Sequence, residues 1–310
     1  MEKKVTGIEF NKIAKILSKN DHESFYNKIN IVPDEITLRK DLEKYVNVEN
    51  FTIKSVLGID IYRYSSYPHF EQTLIPFLFK ILFQTAIKFC LENNQFVFQI
   101  NKKRDFDNAF LSTGDGGYLI LDTPMHALLF AINFEIIVRS YNSYHLYPKL
   151  RKIIGEISLR YAMTYDAVYY FDNNFYGRAI INNARILQKD DLNRCLIDQE
   201  TYAWFQLNTD GTENLQILSI NEVANIFDFQ NYDKSFIKKG KNLIISTENS
   251  RTHGIINSDI LKIGKIQSKD SELNVYNLHI QVTTRISELN NNENARIITI
   301  SLGNLNTSGI

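Results

Sequence analysis

Ser112-Thr113-Gly114-Asp115-Gly116-Gly117, followed by Tyr118-Leu119-Ile120-Leu121, sets a polar turn carrying one aspartate against an apolar run. Asp-Gly beside a run of strand formers is a strong hairpin signal, so this stretch predicts a hairpin with Asp115 at its tip. A lone Asp-Gly is usually a solvated turn and no more. A second stretch upstream changes its meaning. Ser55-Val56-Leu57-Gly58-Ile59-Asp60-Ile61 is also apolar, with an aspartate inside it. An ionised carboxylate in such a strand is costly to bury unless a cation pairs with it. Two aspartates drawn together from neighbouring strands make a hard-oxygen site suited to Mg²⁺, which keeps few protein ligands and takes the rest from phosphates and water.

Composition narrows the classes. A chain of 310 residues predicts one large or two ordinary domains. Its 35 Lys and Arg balance 35 Asp and Glu, which argues against a mainly electrostatic nucleic-acid binder. A hydrophobic fraction of 44%, with 20 Phe and 17 Tyr, supplies a substantial core. Cys90 and Cys195 lie far apart without partners at metal spacing, so a reduced, cytoplasmic protein is expected. Met1-Glu2-Lys3-Lys4 leads into no apolar signal segment. Residues 74–91 are the most apolar stretch, but Lys80, Gln84 and Lys88 interrupt them at helical spacing. That pattern predicts a core helix and no membrane span.

Residues 1–50 read as a polar, helical segment, with Pro33-Asp34-Glu35 opening its second helix, and are expected to pack on a partner subunit or on the main domain. From Phe51 a strand is expected to Asp60, then a loop over 62–68, a long helix through Asn93, a strand over 95–100 and a polar loop over 101–108. The Asp115 hairpin follows. A helix starts at Pro124 and runs to about Tyr141, as proline at the first helical position suggests. A helix or loop covers 147–155, strands cover 156–163 and 167–171, and Tyr176-Gly177 opens a helix over 180–187. This order predicts a ferredoxin-like α+β sandwich and disfavours a Rossmann sheet. Neither GxGxxG nor GxxxxGK[ST] occurs, so dinucleotide and P-loop chemistry are not indicated. Near Asn208-Thr209-Asp210-Gly211-Thr212 the character shifts to short strands, expected at 215–218, 242–246, 260–266, 273–282 and 295–302, with a frayed tail over 303–310. Lys102-Lys103-Arg104 and Lys238-Lys239-Gly240-Lys241 read as solvated turns.

Four motifs in this order resemble the class III nucleotidyl cyclases, the family of adenylate and guanylate cyclases. The first aspartate stands in Asp60-Ile61-Tyr62-Arg63-Tyr64-Ser65, similar to D-[IV]-x-G-[FY]-[ST]. The second stands in Leu111-Ser112-Thr113-Gly114-Asp115-Gly116, similar to K-x-x-G-D-x. Leu159-Arg160-Tyr161-Ala162-Met163-Thr164-Tyr165-Asp166 keeps the Leu-Arg of the next strand and loses its glycines. Gly177-Arg178-Ala179-Ile180-Ile181-Asn182-Asn183-Ala184-Arg185 keeps the Gly and the last Arg of G-x-x-[VI]-N-x-A-x-R. The match covers about residues 51–205, which makes 51–207 the catalytic domain, 1–50 an N-terminal helical segment and 208–310 a β-rich C-terminal region. Leu261-Lys262-Ile263-Gly264-Lys265 and Asn274-Val275-Tyr276-Asn277-Leu278 resemble the family's last hairpin, which puts it near 259–282 with Lys262 or Lys265 toward phosphates. A separate strand-rich module fits the same residues equally.

The resemblance implies a site. Two Mg²⁺ or Mn²⁺ ions would be held by Asp60, Asp115 and the Ile61 carbonyl, activating the ribose 3′-hydroxyl and neutralising the triphosphate. Arg185 would stabilise charge on the α-phosphoryl group. The loop of Tyr62, Arg63, Tyr64 and Ser65 would hold the outer phosphates. A homodimer with two composite sites is implied. The departures matter as much. Leu111 replaces the base-reading lysine and Asn174 replaces the aspartate of adenylate cyclases. Ile181 replaces the ribose-orienting asparagine, with Asn182 and Asn183 adjacent as substitutes. These changes are most like the bacterial Pycsar pyrimidine cyclases, which make cyclic UMP or cyclic CMP for a separate anti-phage effector. The expected activity is therefore UTP to cyclic UMP and pyrophosphate, in the cytoplasm, with no nucleic-acid or membrane partner. Cytidylate cyclase, adenylate or guanylate cyclase, and a degenerate nucleotide-binding domain are the alternatives. A polymerase-like palm shares the aspartate pair but needs a basic channel that the balanced charge disfavours.

Overall fold

A computed structural model describes residues 9–20, 35–46, 51–216, 218, 220–228, 254–267, 272–288, 291–306 and 308–310. The class is α+β: a mostly antiparallel sheet with helices on its faces. The described strands form one nine-stranded sheet in the order β2-β3-β1-β4-β6-β8-β7, with β5 pairing β4 and β9 pairing β8. Its centre is β1 (Thr52–Ile61), flanked by β3 (Gly116–Leu121) and β4 (Leu159–Phe171), both antiparallel to it. Short β2 (Phe110–Ser112) closes the hairpin with β3, as the Asp-Gly signal predicts. Among the described strands the single parallel pair, β4 with β6 (Cys195–Asp198), is joined through α7 (Arg178–Lys189), the crossover that a parallel pair requires.

The core lies under one face of the sheet. α3 (His69–Asn93) and α5 (Pro124–Asn142) pack on each other there. α3 is long and apolar enough to cross a membrane by composition. Here it buries Ile75, Leu78, Phe79, Leu82, Phe83, Ala86, Ile87 and Cys90 in the core, as the interrupting polar residues predict. α5 starts where Pro124 suggests, with Thr123 accepting a hydrogen bond from the His126 amide at 3.4 Å. It is buried almost all round, so its single face cannot be read from periodicity.

Several expectations are corrected. Residues 95–100 turn instead of extending: the Val97 and Phe98 amides both donate to the Asn94 carbonyl at 3.1 Å. Phe96, Val97 and Phe98 are buried, and a short apolar run of that kind fits a buried turn as well as a strand. The expected loop over 101–108 contains α4 (Lys103–Asn108), opened by the Asp105 carboxylate accepting from the Lys102 amide at 2.7 Å. Strands 156–163 and 167–171 are one strand, β4, which turns tightly into β5 (Asn174–Gly177) through Asp172 and Asn173 at φ +49° and +60°. β6 and α8 (Gln199–Thr209) add a strand and a helix beyond those expected.

Residues 213–216 form a 3-10 turn in place of a strand. The strand expected at 242–246 and the 238–241 basic cluster lie outside the described residues. β7 (Gly254–Gln267), β8 (Glu272–Glu288) and β9 (Asn291–Leu302) lengthen the remaining three expected strands. β8 pairs β6 from Cys195↔Leu278 to Asp198↔Val275, so the C-terminal strands continue the same sheet and build no separate module. The tail is bound, not frayed: Asn277 Nδ2 donates to the carbonyls of Asn304 at 3.0 Å and Asn306 at 3.1 Å. At the other end, α1 (Phe10–Asn20) and α2 (Ile36–Glu43) lie against each other. A short α6 (Pro148–Ile154) and α9 (Ile220–Ile226) complete the described helices.

Candidate active site

Side chains alternate across a strand, so Lys54, Val56, Gly58 and Asp60 of β1 share one face. The register sets Asp60 opposite Gly116 of β3 and Arg160 of β4. Asp115, just before β3, is thereby carried to the end of β1, where its carbonyl accepts from the Ile61 amide at 3.3 Å. The turn depends on its glycines. Gly114 has φ +107°, and a Cβ on Gly116 would fall 2.1 Å from the Ile59 carbonyl oxygen. The two aspartates predicted to meet therefore do so, through strand register and a tight turn.

Their electrostatics are those of an acid pair. Burial and the Asp60 charge raise the Asp115 carboxyl above the usual range. Tyr118 is raised by burial and by the same charge. The hard oxygens of two carboxylates, with one proton held more tightly than normal, fit a divalent cation that would take the place of that proton. Among the described residues no group of three or more His, Cys, Asp or Glu gathers, so a further protein ligand would be a neutral oxygen, such as a main-chain carbonyl or a side-chain hydroxyl or amide.

Two residues at the site were not expected from the sequence. Arg160 Nε donates to Asp60 Oδ2 at 2.5 Å, and its Nη1 donates to the Asp190 carbonyl at 2.5 Å. The Leu-Arg pair retained in the third motif is the signal that marks Arg160; nothing in the sequence marks Asp190.

The loop after Asp60 is ordered by its own side chains. Arg63 takes the left-handed conformation at φ +58°, at the position where the family pattern has glycine, with its guanidinium carbon 5.0 Å from the Tyr62 ring centre. Tyr62 binds the Ser158 carbonyl through its amide at 2.9 Å and the Asp191 carbonyl through its hydroxyl at 3.0 Å. Tyr64 Oη donates to the Gln72 carbonyl, and Gln72 Nε2 returns a bond to the Ser65 carbonyl, both at 3.2 Å.

The remaining expected residues are divided: Leu111 lies on the Asp60 face, Asn174 pairs with Phe171 of β4 at the far end of the sheet, and Ile181, Asn182 and Arg185 lie on α7. Leu111 packs on the small cluster of Val56, Ile120, Val168 and Ala179, together with Phe175. The Asn174 side-chain oxygen accepts from the Phe175 amide at 2.9 Å. On α7, Asn183 is fully buried and its Nδ2 donates to the Val56 and Ala162 carbonyls at 2.8 and 2.9 Å. It pins the helix to the sheet, which removes it as a ribose contact. Asn182 accepts from Arg185 Nη1 at 3.4 Å. Ile181 is 52% exposed and lines a groove with Phe51, Tyr169 and Tyr176. Among the described residues Arg185 makes no hydrogen bond or ion pair with either aspartate.

No family model matches the sequence, and no curated protein matches it. Solved structures similar to the chain include an adenylate/guanylate cyclase/hydrolase from Silicibacter pomeroyi, at 12% identity over 74% of this chain and 96% of that one, with a TM-score of 0.37. The adenylyl cyclase CyaB from P. aeruginosa is similar at 10% identity over 74% and 95%, TM-score 0.37. The guanylyl cyclase domain of the RhoGC fusion protein from the aquatic fungus Blastocladiella emersonii is similar at 10% identity over 73% and 95%, TM-score 0.39.

Proposed function

We propose that the chain is a nucleotidyl cyclase that converts UTP to cyclic UMP and pyrophosphate. The observation that carries this reading is the meeting of Asp60 and Asp115 at one end of the sheet, with Asp115 held above the usual carboxylate range by burial and by Asp60. The residues fit two Mg²⁺ or Mn²⁺ ions on Asp60, Asp115 and the Ile61 carbonyl. Such ions, when bound, supply charge neutralisation at the triphosphate and a more acidic 3′-hydroxyl. The loop from Tyr62 to Ser65 follows Asp60 directly and would receive the outer phosphates, with the Tyr62 amide itself held by Ser158. Arg185 has no link to the aspartates of its own chain, which suits delivery from a second copy. The exposed Ile53, Tyr176 and Ile181 around the groove of Phe51 and Tyr169 favour a homodimer, since apolar surface of this kind is usually covered.

The base preference follows from Leu111 and Asn174. Leu111 offers no donor to a purine ring nitrogen, and an unpaired polar edge costs about 1–3 kcal/mol. The Asn174 oxygen already accepts from the Phe175 amide, which favours its Nδ2 donor as the contact to a base. A donor suits the 4-carbonyl of uracil and opposes the 4-amino group of cytosine. Resemblance to the bacterial pyrimidine cyclases supports an anti-phage setting, with the cyclic nucleotide acting on a separate effector in the cytoplasm. Incubating the purified protein with each of the four nucleoside triphosphates and Mn²⁺ or Mg²⁺, then resolving the products, tests this. Cyclic UMP is expected. Cyclic AMP or cyclic GMP as the main product would overturn the pyrimidine assignment, and no cyclic product with any of the four would overturn the cyclase.

A further inference from the structure

We infer that Asp190, Arg194 and the segment 303–310 are positioning elements that hold Arg160 on Asp60, keeping the aspartate pair closed to divalent ions until a nucleotide arrives. This rests on the metal-site reading above. The contacts form an unbroken chain. Arg160 joins the Asp60 carboxylate to the Asp190 carbonyl. Asp190 cannot easily shift, because its carboxylate accepts from the Leu192 amide at 3.2 Å, the Arg194 amide at 3.4 Å and Arg194 Nε at 2.7 Å. Arg194 in turn donates from Nη1 to the Ser308 carbonyl at 2.7 Å. The segment carrying Ser308 is tied down by Asn277, by the Ser308 amide donating to Asn306 Oδ1 at 2.9 Å, and by Ile310 packing beside Ala162, Leu196 and Val275.

Asp190 and Arg194 are each 1% exposed. A buried ion pair adds little net stability over an apolar replacement, so its presence calls for another use. The use here is geometric. Only a fixed Asp190 carbonyl orients the Arg160 guanidinium so that its other arm meets Asp60. Arginine suits this because its donors diverge in one rigid plane. Arg160 then supplies one positive charge to the acid pair, and a divalent ion entering alone must compete with it. A nucleoside triphosphate brings negative charge of its own, which can draw the guanidinium off Asp60 and lets metal and nucleotide enter together.

The test is Mn²⁺ binding to the nucleotide-free full chain, followed by electron paramagnetic resonance. Arg160→Gln is expected to tighten Mn²⁺ binding about tenfold, since one adjacent positive charge is removed. Deletion of 304–310 is expected to tighten it about threefold by loosening Arg194, and Arg194→Lys, which keeps the charge but lacks the fork, should act in the same direction. Neither change should matter once Arg160 is already Gln, because the effect runs through that side chain. Arg194→Lys carries the test if the deletion does not fold. Unchanged Mn²⁺ affinity in both the deletion and Arg194→Lys, or an equal shift in both Arg160 backgrounds, overturns the inference alone. Failure of every variant to bind Mn²⁺, with and without UTP, removes the metal site and takes the proposed function with it.

Discussion

The two faces of β1, β3 and β4 are built from alternate residues of the same strands and differ in kind. Toward α3 and α5 stand Leu57, Ile59, Ile61, Leu119, Leu121, Leu159, Tyr161 and Met163, all buried. On the other face stand Lys54 and Asp122, paired with each other, then Val56, Ile120 and Gly58, then Asp60 with Arg160. Among the described helices α7 covers part of that second face, through Ala179, Ile186 and Leu187 and through the buried Asn183. Each face also holds an acid out of its usual range, for different reasons. Burial alone pushes Glu135 of α5, bonded by Tyr161 Oη at 3.0 Å, up to about 7. Asp115 is raised by burial and by a second carboxylate. A lone buried acid is a structural liability, whereas a repelling pair near the surface is a binding opportunity.

Substitutions on the two faces should therefore separate activity from stability. Asp60→Ala or Asp115→Ala should lower kcat about 10³-fold or more, because metal charge stabilisation is worth several kcal/mol. For Asp115→Ala the melting temperature should hold or rise as repulsion is relieved, whereas Asp60→Ala should lower it by leaving Arg160 without its carboxylate. Near-normal turnover in either variant would show that the pair is not a catalytic metal site. Arg185→Ala should lower kcat about 10²- to 10³-fold while substrate affinity changes little, since its target charge develops in the transition state. Mixing it with the Asp60→Ala protein should restore part of the activity. No recovery despite measured subunit exchange would place both groups in one chain's site.

On the core face the order reverses. Leu57→Ala, fully buried, should cost about 2–5 kcal/mol in urea unfolding with turnover per folded molecule unchanged. A loss of turnover at full folding would break the division between the faces. The smallest effect is a pH slope. Glu135 moves from 4.5 unfolded to about 7 folded, so the native state binds more protons between those values. Stability should fall as pH rises from about 4.5 to about 7 and then level off. Glu135→Gln keeps the acceptor for Tyr161 and should raise stability at pH 8 by about 3 kcal/mol, with little change at pH 5. Asp198, also pushed by burial up to about 7, should leave a residual fall of the same sign. Equal urea midpoints for wild type and Glu135→Gln at pH 8 would show that the acid is solvated.

Much of this was legible in local chemistry. The Asp115 hairpin, the helices opening at Pro124 and after Pro68, and the aspartate inside β1 are each marked by residues within a few positions of one another. Short buried runs were not legible. Phe96 to Phe98 carries no periodicity that separates a turn from a strand, and β6 is four residues long. The β4 to β5 turn rests on Asp172 and Asn173 adopting positive φ, which the residue types permit but do not demand.

By itself the sequence determined which chemistry was available: two acids in strand contexts, an arginine on a helix, a leucine and an asparagine where a purine reader would stand. Those are properties of residue type and short-range order. Tertiary structure alone decided who meets whom. Register placed Arg160 opposite Asp60 across 100 residues of chain, and the crossover through α7 brought Asp190 beneath that arginine. β8 joined the C-terminal strands to β6, which laid Ser308 on Arg194. The physical reason is that strand pairing aligns segments by burying one face of each, and no local pattern records which distant segment supplies the partner.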